Sequence, residues 1–174
     1  MINLLILLLL SFCFSGIETA MTALSMPLLV ERAQKGDKKA KILLKIKKNP
    51  DKLLGTLLLG NNLVNIALTA LSTSMLIELF GPIQGVAIAT IGVSFMVLVF
   101  AEILPKTYAM RQTIPFAFFF VYPLNVLIFL LGPVVLCLNK ISGLVLKIMP
   151  EKKSENDKQR KTGKSAFPKS EKHS

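Results

Sequence analysis

The chain has 174 residues, of which 52% are apolar and 18% charged, yet its formal net charge is +11. Soluble domains carry about 25% charged residues and disperse them, whereas here the charges gather in two blocks. That pattern excludes a soluble globular enzyme and points to an integral membrane protein with polybasic flanks.

The first block, residues 31–52, holds nine basic and three acidic side chains, and the second, residues 147–174, holds nine basic and four acidic. Elsewhere the charges are Lys106, Arg111 and Lys140 against Glu18, Glu78 and Glu102. A single histidine, His173, sits in the polar tail, so neither histidine catalysis nor a multi-histidine metal site is expected. Cys13 and Cys137 lie in apolar runs and read as small buried hydrophobes. The basic residues are not interleaved with aromatics and tryptophan is absent, which argues against a nucleic-acid partner. The expected partner is the bilayer itself, through anionic lipids of the inner leaflet.

Four hydrophobic stretches follow in chain order. Residues 2–30 form the first, too long for the apolar region of a signal peptide and without a basic segment ahead of it. Residues 38–48 (KKAKILLKIKK) set Ile42, Leu43, Leu44 and Ile46 among lysines, the pattern of a short amphipathic helix at a membrane surface, closed by Asn49-Pro50. Residues 53–80 and 83–104 each exceed the roughly 20 residues needed to cross hydrocarbon, and the short Gly81-Pro82 connection makes them a hairpin. In residues 113–149, Pro115, Pro123, Gly132 and Pro133 predict pieces of about 8 to 16 residues, a belt of interfacial or re-entrant helices. The fold class expected is all-α: three transmembrane helices plus short helices on the cytoplasmic side. Residues 1–149 would form one membrane domain and residues 150–174 a disordered basic tail.

The positive-inside rule assigns the 31–52 loop to the cytoplasm and the N-terminus to the outside. A belt that does not cross keeps the second basic block inside as well. The expected location is the inner or plasma membrane.

The spans carry polar stripes. Ser11, Ser15, Glu18, Thr22 and Ser25 step by four and three along one helix face, and Asn62, Asn65, Thr69 and Ser72 repeat the device. The third span has Thr90, Ser94 and then Glu102 near its cytoplasmic end, and three helices with such stripes are expected to turn them toward one another. Serines and threonines often serve as glue between membrane helices. A carboxylate in a span costs about 3 kcal/mol on the lenient insertion scale and usually marks a pathway. Glu18 and Glu102 have no basic residue in their own spans, so a cation or proton is their natural partner. Hydroxyls, amide oxygens and carboxylates are hard donors suited to Mg²⁺, Ca²⁺ or Na⁺. Pro105 is expected to break the helix beside Glu102 and free backbone carbonyls there.

FSGIETAMTALS (14–25), NPDKLLGTLLLGNNLVNIALTAL (49–71), GVAIAT (85–90) and FAEILPKTYAMR (100–111) closely resemble the membrane domain of the CorC/CNNM (cyclin M-like) magnesium transporter family, some of whose bacterial members are labelled hemolysin-like. The match runs from about residue 5 to 149. The resemblance implies a homodimer, Mg²⁺ transport or efflux with Na⁺ as an optional coupling ion, and ion ligands at Ser15, Asn62 and Glu102. Asn61 competes with Asn62, but Asn62 is the one in step with Asn65 and Thr69. Glu18 and Asn65 would line the cavity, and Leu104 offers its carbonyl ahead of Pro105. Two departures stand out: Ile17 replaces a small polar residue, and the family's nucleotide-binding CBS modules are not in this sequence. A separate CBS-domain protein is therefore an implied partner, and a membrane scaffold or regulator without transport is the alternative function.

Overall fold

In lipid, a helix satisfies its own backbone hydrogen bonds within one apolar segment, and the described residues form helices with no strand among them. The structure, a computed structural model, describes residues 2–148, so the expected tail lies outside it. The chain divides into two units, 1–137 and 138–174. The hydrophobic core lies in the first. Seven helices follow in order: α1 (Ile2–Ala23), α2 (Met26–Gln34), α3 (Lys38–Lys47), α4 (Pro50–Phe80), α5 (Pro82–Arg111), α6 (Thr113–Phe119) and α7 (Val121–Ile148).

The first span is shorter than the expected 2–30. It stops at Ala23, Ser25 is extended, and α2 begins at Met26. Pro27 explains the stop, because its ring would collide with the carbonyl of Ala23 in a continuing helix. Ser25 therefore leaves the polar face expected of it. α3 forms as the lysine-rich pattern predicts: Asp37 caps it, accepting from the backbone N–H groups of Lys39 and Ala40 at 2.8 and 3.2 Å. Its buried face is Ala40, Leu43 and Ile46.

The expected hairpin is present. Gly81 turns the chain with φ +82°, and at Gly85 a Cβ would sit 2.6 Å from the Ile77 Cα, so α5 can fold back against α4 only with glycine there. α5 differs from expectation in that Pro105 does not break it. The backbone runs helically to Arg111, with wide π-type winding at Ala89–Val93 and Val97–Ile103. Wider turns ahead of Pro105 accommodate a ring that α-helical spacing would crowd against Ala101.

The region after residue 113 also differs. α6 is short, but α7 is one helix of 28 residues rather than several pieces. Pro123 falls in its first turn, where no intrahelical N–H is needed, and the interior Pro133 forfeits a single hydrogen bond. Four helices rather than three are thus long and apolar enough to span: Ile2–Ala23, Pro50–Phe80, Pro82–Arg111 and Val121–Gly143.

The core of the first unit gathers around the end of α1. Ile17, Ala20 and Met21 from the end of α1, with Leu24 just beyond it, meet Leu29, Leu43, Leu53, Leu57, Ala109, Phe116 and Leu124 from all six other helices. Arg32 lies 5.1 Å from the ring centre of Phe118 and Lys39 lies 5.7 Å from that of Tyr122, tying the basic loop to α6 and α7. Lys47 closes the arrangement. Its ammonium donates to the carbonyls of Met21, at 2.8 Å, and Leu24, with Thr22 at 3.4 Å. These are the acceptors that the end of a helix leaves free. Burial pulls the Lys47 amine below the usual lysine range, a cost that the three carbonyls offset.

Lys47→Met should therefore lower stability by about 1–3 kcal/mol, read as a fall in the thermal midpoint in detergent. Lys48→Met, at the exposed neighbouring position, should leave the midpoint unchanged. Equal effects of the two would contradict the clamp.

Candidate ion-binding site

α1 packs on α4, on the Val97–Arg111 part of α5, and on α6. It therefore touches both helices that carry the other expected ligands. On the α4 side the contact is polar. The buried Ser11 Oγ donates to Asn65 Oδ1 at 2.5 Å and lies 3.3 Å from Asn61 Oδ1. Asn61 and Asn65 are four residues apart and so stack on one face of α4.

Asn62 is on the neighbouring face. It is exposed and lines a shallow groove with Asn65, Ile66 and Thr69. The expected stripe thus does not turn toward α1 as a unit: Asn65 belongs to both faces, Asn61 joins it against Ser11, and Asn62 and Thr69 face outward. The 100° step of an α-helix leaves adjacent asparagines on different faces, and spacing alone does not say which one meets a neighbour.

Ser15, one turn beyond Ser11, is fully buried, and its hydroxyl has no hydrogen-bond partner among the described residues. The Thr56 hydroxyl on α4 shares that condition. A buried, unsatisfied hydroxyl costs about 1–3 kcal/mol, so both are oxygens with bonding capacity to spare. The nearby threonines of α1 have spent their protons on the backbone: Thr19 donates to the Ser15 carbonyl at 3.1 Å and Thr22 to the Thr19 carbonyl at 2.9 Å.

Glu102 is half-buried in the π-wound segment that packs on α1. Lys106 lies one turn further on, yet the ion pair among the described residues joins Lys35 to Glu31, not Lys106 to Glu102. Glu18 is half-buried on α1, and Glu78 is exposed beside the Gly81 turn. Ser15 and Glu102 thus sit on elements in mutual contact, whereas Asn62 stands on an outward face of α4. No cluster of three or more His, Cys, Asp or Glu side chains forms among the described residues. A cation here would be met by single hydroxyl, amide and carboxylate oxygens and would keep part of its water, the manner in which Mg²⁺ is usually held.

The facing stripes anticipate the contact of Ser11 with Asn65, but neither Asn61's part in it nor the Lys47 clamp was anticipated from sequence. Interhelical hydrogen bonds in membranes average about 0.6 kcal/mol and reach about 1.7. A double-mutant cycle with Ser11→Ala and Asn65→Ala, read by unfolding in mixed micelles, should give a coupling energy in that range. Strict additivity would contradict the bond.

Comparison with known proteins agrees with this architecture. The family model described as the cyclin M transmembrane N-terminal domain matches residues 2–163. The UPF0053 inner membrane protein YfjD of Escherichia coli is 42% identical over 139 residues, covering 78% of this chain and 32% of its own length. A UPF0053 protein of Haemophilus influenzae is 40% identical over 151 residues, covering 85% of this chain and 35% of its own. A chloroplastic DUF21 domain-containing protein of Arabidopsis thaliana is 33% identical over 144 residues, covering 83% and 22%. The chain spans about a third of the length of the two bacterial relatives. With a helical, multi-pass membrane architecture and a family model that covers nearly all of it, the chain belongs to the CNNM transmembrane-domain family.

Proposed function

We propose that this domain binds Mg²⁺ within the membrane and moves it by alternating access, as a homodimer, with Na⁺ as an optional coupling ion. The observation that carries the reading is the pairing of a buried, unsatisfied Ser15 hydroxyl with a half-buried, unpaired Glu102 carboxylate on packed helices. Asn62 is the third oxygen of the proposal; it faces outward here, nearly one turn from Asn65, whose amide already holds α1 through Ser11, so it joins the ion only when α4 rotates against α1. Transport of this kind needs no bond chemistry, only exchange of water ligands for protein oxygens. Because Mg²⁺ gives up water reluctantly, affinity depends on all ligands together.

The orientation follows from charge. With the 31–52 loop at net +6, α2 and α3 lie on the cytoplasmic side and the start of α1 outside. The path of α7 supports a belt rather than a fourth crossing. Val121 and Leu124 share the core with α3, while Gly132 meets Lys52 and Val135 meets Gly55, both in the first two turns of α4. From Val121 to Val135 the helix advances about 21 Å and stays at the depth where α4 begins. The outer parts of α4 and α5 leave Leu63, Ile66, Ile91 and Phe95 exposed, an apolar area suited to lipid or to the second protomer.

Glu102→Gln should abolish Mg²⁺-dependent thermal stabilisation in detergent and Mg²⁺ flux in proteoliposomes. Unchanged flux would refute the site, and Mg²⁺ binding without flux in the wild type would favour the scaffold reading. Asn62→Ala should weaken Mg²⁺ binding by about ten-fold or more, as expected for one ligand lost. Asn61→Ala should act on stability instead, and the reverse result would transfer the ligand role to Asn61.

A further inference from the structure

A recess away from the α1–α5 contact combines charge with grease. It lies between the α3–α4 connection and α7, has a volume of about 440 Å³, and is walled by Lys45, Asn49 and Lys52 on one side and Asn125, Val126 and Phe129 on the other. That size is in the range of small-ligand pockets. We propose that this recess binds the phosphate headgroup of an anionic phospholipid, with Lys45 and Lys52 as its cations and Asn125 as a hydrogen-bond donor, and with an acyl chain against Val126 and Phe129.

The two lysines approach from different helices, Lys45 from the last turn of α3 and Lys52 from the first turn of α4. Neither is in an ion pair among the described residues. Asp51, the acidic residue in the first turn of α4, does not line the recess. The Lys52 side chain lies across Gly132 of α7, where a Cβ would overlap the Lys52 Cε and come within 2.8 Å of its Nζ. Glycine at 132 therefore lets the lysine lie flat along α7, and an alanine there would push the end of its side chain aside. Asn125 is an exposed amide in an otherwise apolar helix face and makes no hydrogen bond among the described residues. Beside it Val126 is 64% and Phe129 83% exposed.

A free anion would use the lysines and leave this apolar wall in water, whereas a phospholipid uses both at once. The depth also fits, since the start of a membrane-spanning helix is at headgroup level. Basic pockets between helices on the cytoplasmic side are a known form of headgroup site. The site is independent of the proposed ion transport and rests on the proposed orientation only in naming the leaflet as the inner one.

The full chain in detergent, followed by native mass spectrometry, tests this with phosphatidylglycerol, phosphatidylcholine of the same chains, and inorganic phosphate as competitor. Phosphatidylglycerol should bind more tightly than phosphatidylcholine, and inorganic phosphate should not displace it. Lys45→Gln with Lys52→Gln should weaken it about thirty-fold, at about five-fold per lysine. Lys38→Gln with Lys41→Gln, which removes the same charge from exposed positions outside the recess, should change it by less than about two-fold. Gly132→Ala should weaken binding with the charge unchanged. Equal losses in the two lysine pairs, equal binding of phosphatidylcholine, or displacement by phosphate would each overturn the site. If the first pair fails to fold, Lys45→Gln against Lys41→Gln makes the same comparison at the five-fold level.

Discussion

The end of α1 is the point on which the rest of this domain depends. Pro27 stops the helix, and a stopped helix presents carbonyl oxygens with no N–H to meet them. Within reach of hydrocarbon such groups must be satisfied by protein. Lys47 meets those of Met21 and Leu24 from α3. That one ammonium fixes where α3 lies, and α3 brings Ala40, Leu43 and Ile46 into the core formed by Ile17, Ala20, Met21 and Leu24. The basic loop is therefore part of the fold as well as a topology signal.

A core gathered around the end of α1 bears on the proposed transport. Where α1, α4 and α5 run beyond it, polar and glycine contacts alternate with apolar ones around a cavity lined by Leu8, Leu68, Met75 and Met96. Ser11 and Asn65 form one such contact, and the close approach of α5 to α4 at Gly85 is another. Interhelical hydrogen bonds in membranes are worth about 0.6 kcal/mol each, so the proposed transport can break and remake such contacts at little cost. The π winding around Glu102 fits the same picture, since such turns recur at functional sites in helices.

Much of this was legible in the sequence because it depends on local chemistry. The apolar stretches, the Gly81-Pro82 hairpin, the Asp37 cap with its lysine-rich helix, and the CNNM motifs all reside in short strings of residues. The end of α1 could in part have been read, because Pro27 disfavours a helix that continues past Ala23, but the unbroken apolar run to residue 30 hid it. The continuity of α5 and α7 through Pro105 and Pro133 was not legible. A proline removes one hydrogen bond, and whether the helix bends, widens or stops is decided by what packs around it; here Pro105 is buried and the turns before it widen. The division of labour among Asn61, Asn62 and Asn65 is likewise a matter of helix rotation about a neighbour. Lys47 gave no sign at all, as one lysine among nine basic residues in its block.

The central claim is that one hard cation is held between α1 and α5 by the Ser15 hydroxyl and the Glu102 carboxylate. Mn²⁺ shares the octahedral oxygen preference of Mg²⁺ and scatters X-rays anomalously. An anomalous difference map from crystals of the protein grown with Mn²⁺ should show a peak in bonding contact with Ser15 Oγ and a Glu102 carboxylate oxygen, and that peak should vanish when Mg²⁺ is added in excess. A peak at Glu18 or Glu78 instead, or crystals in which Ser15 and Glu102 bind no metal while the protein still transports Mg²⁺, would contradict the account.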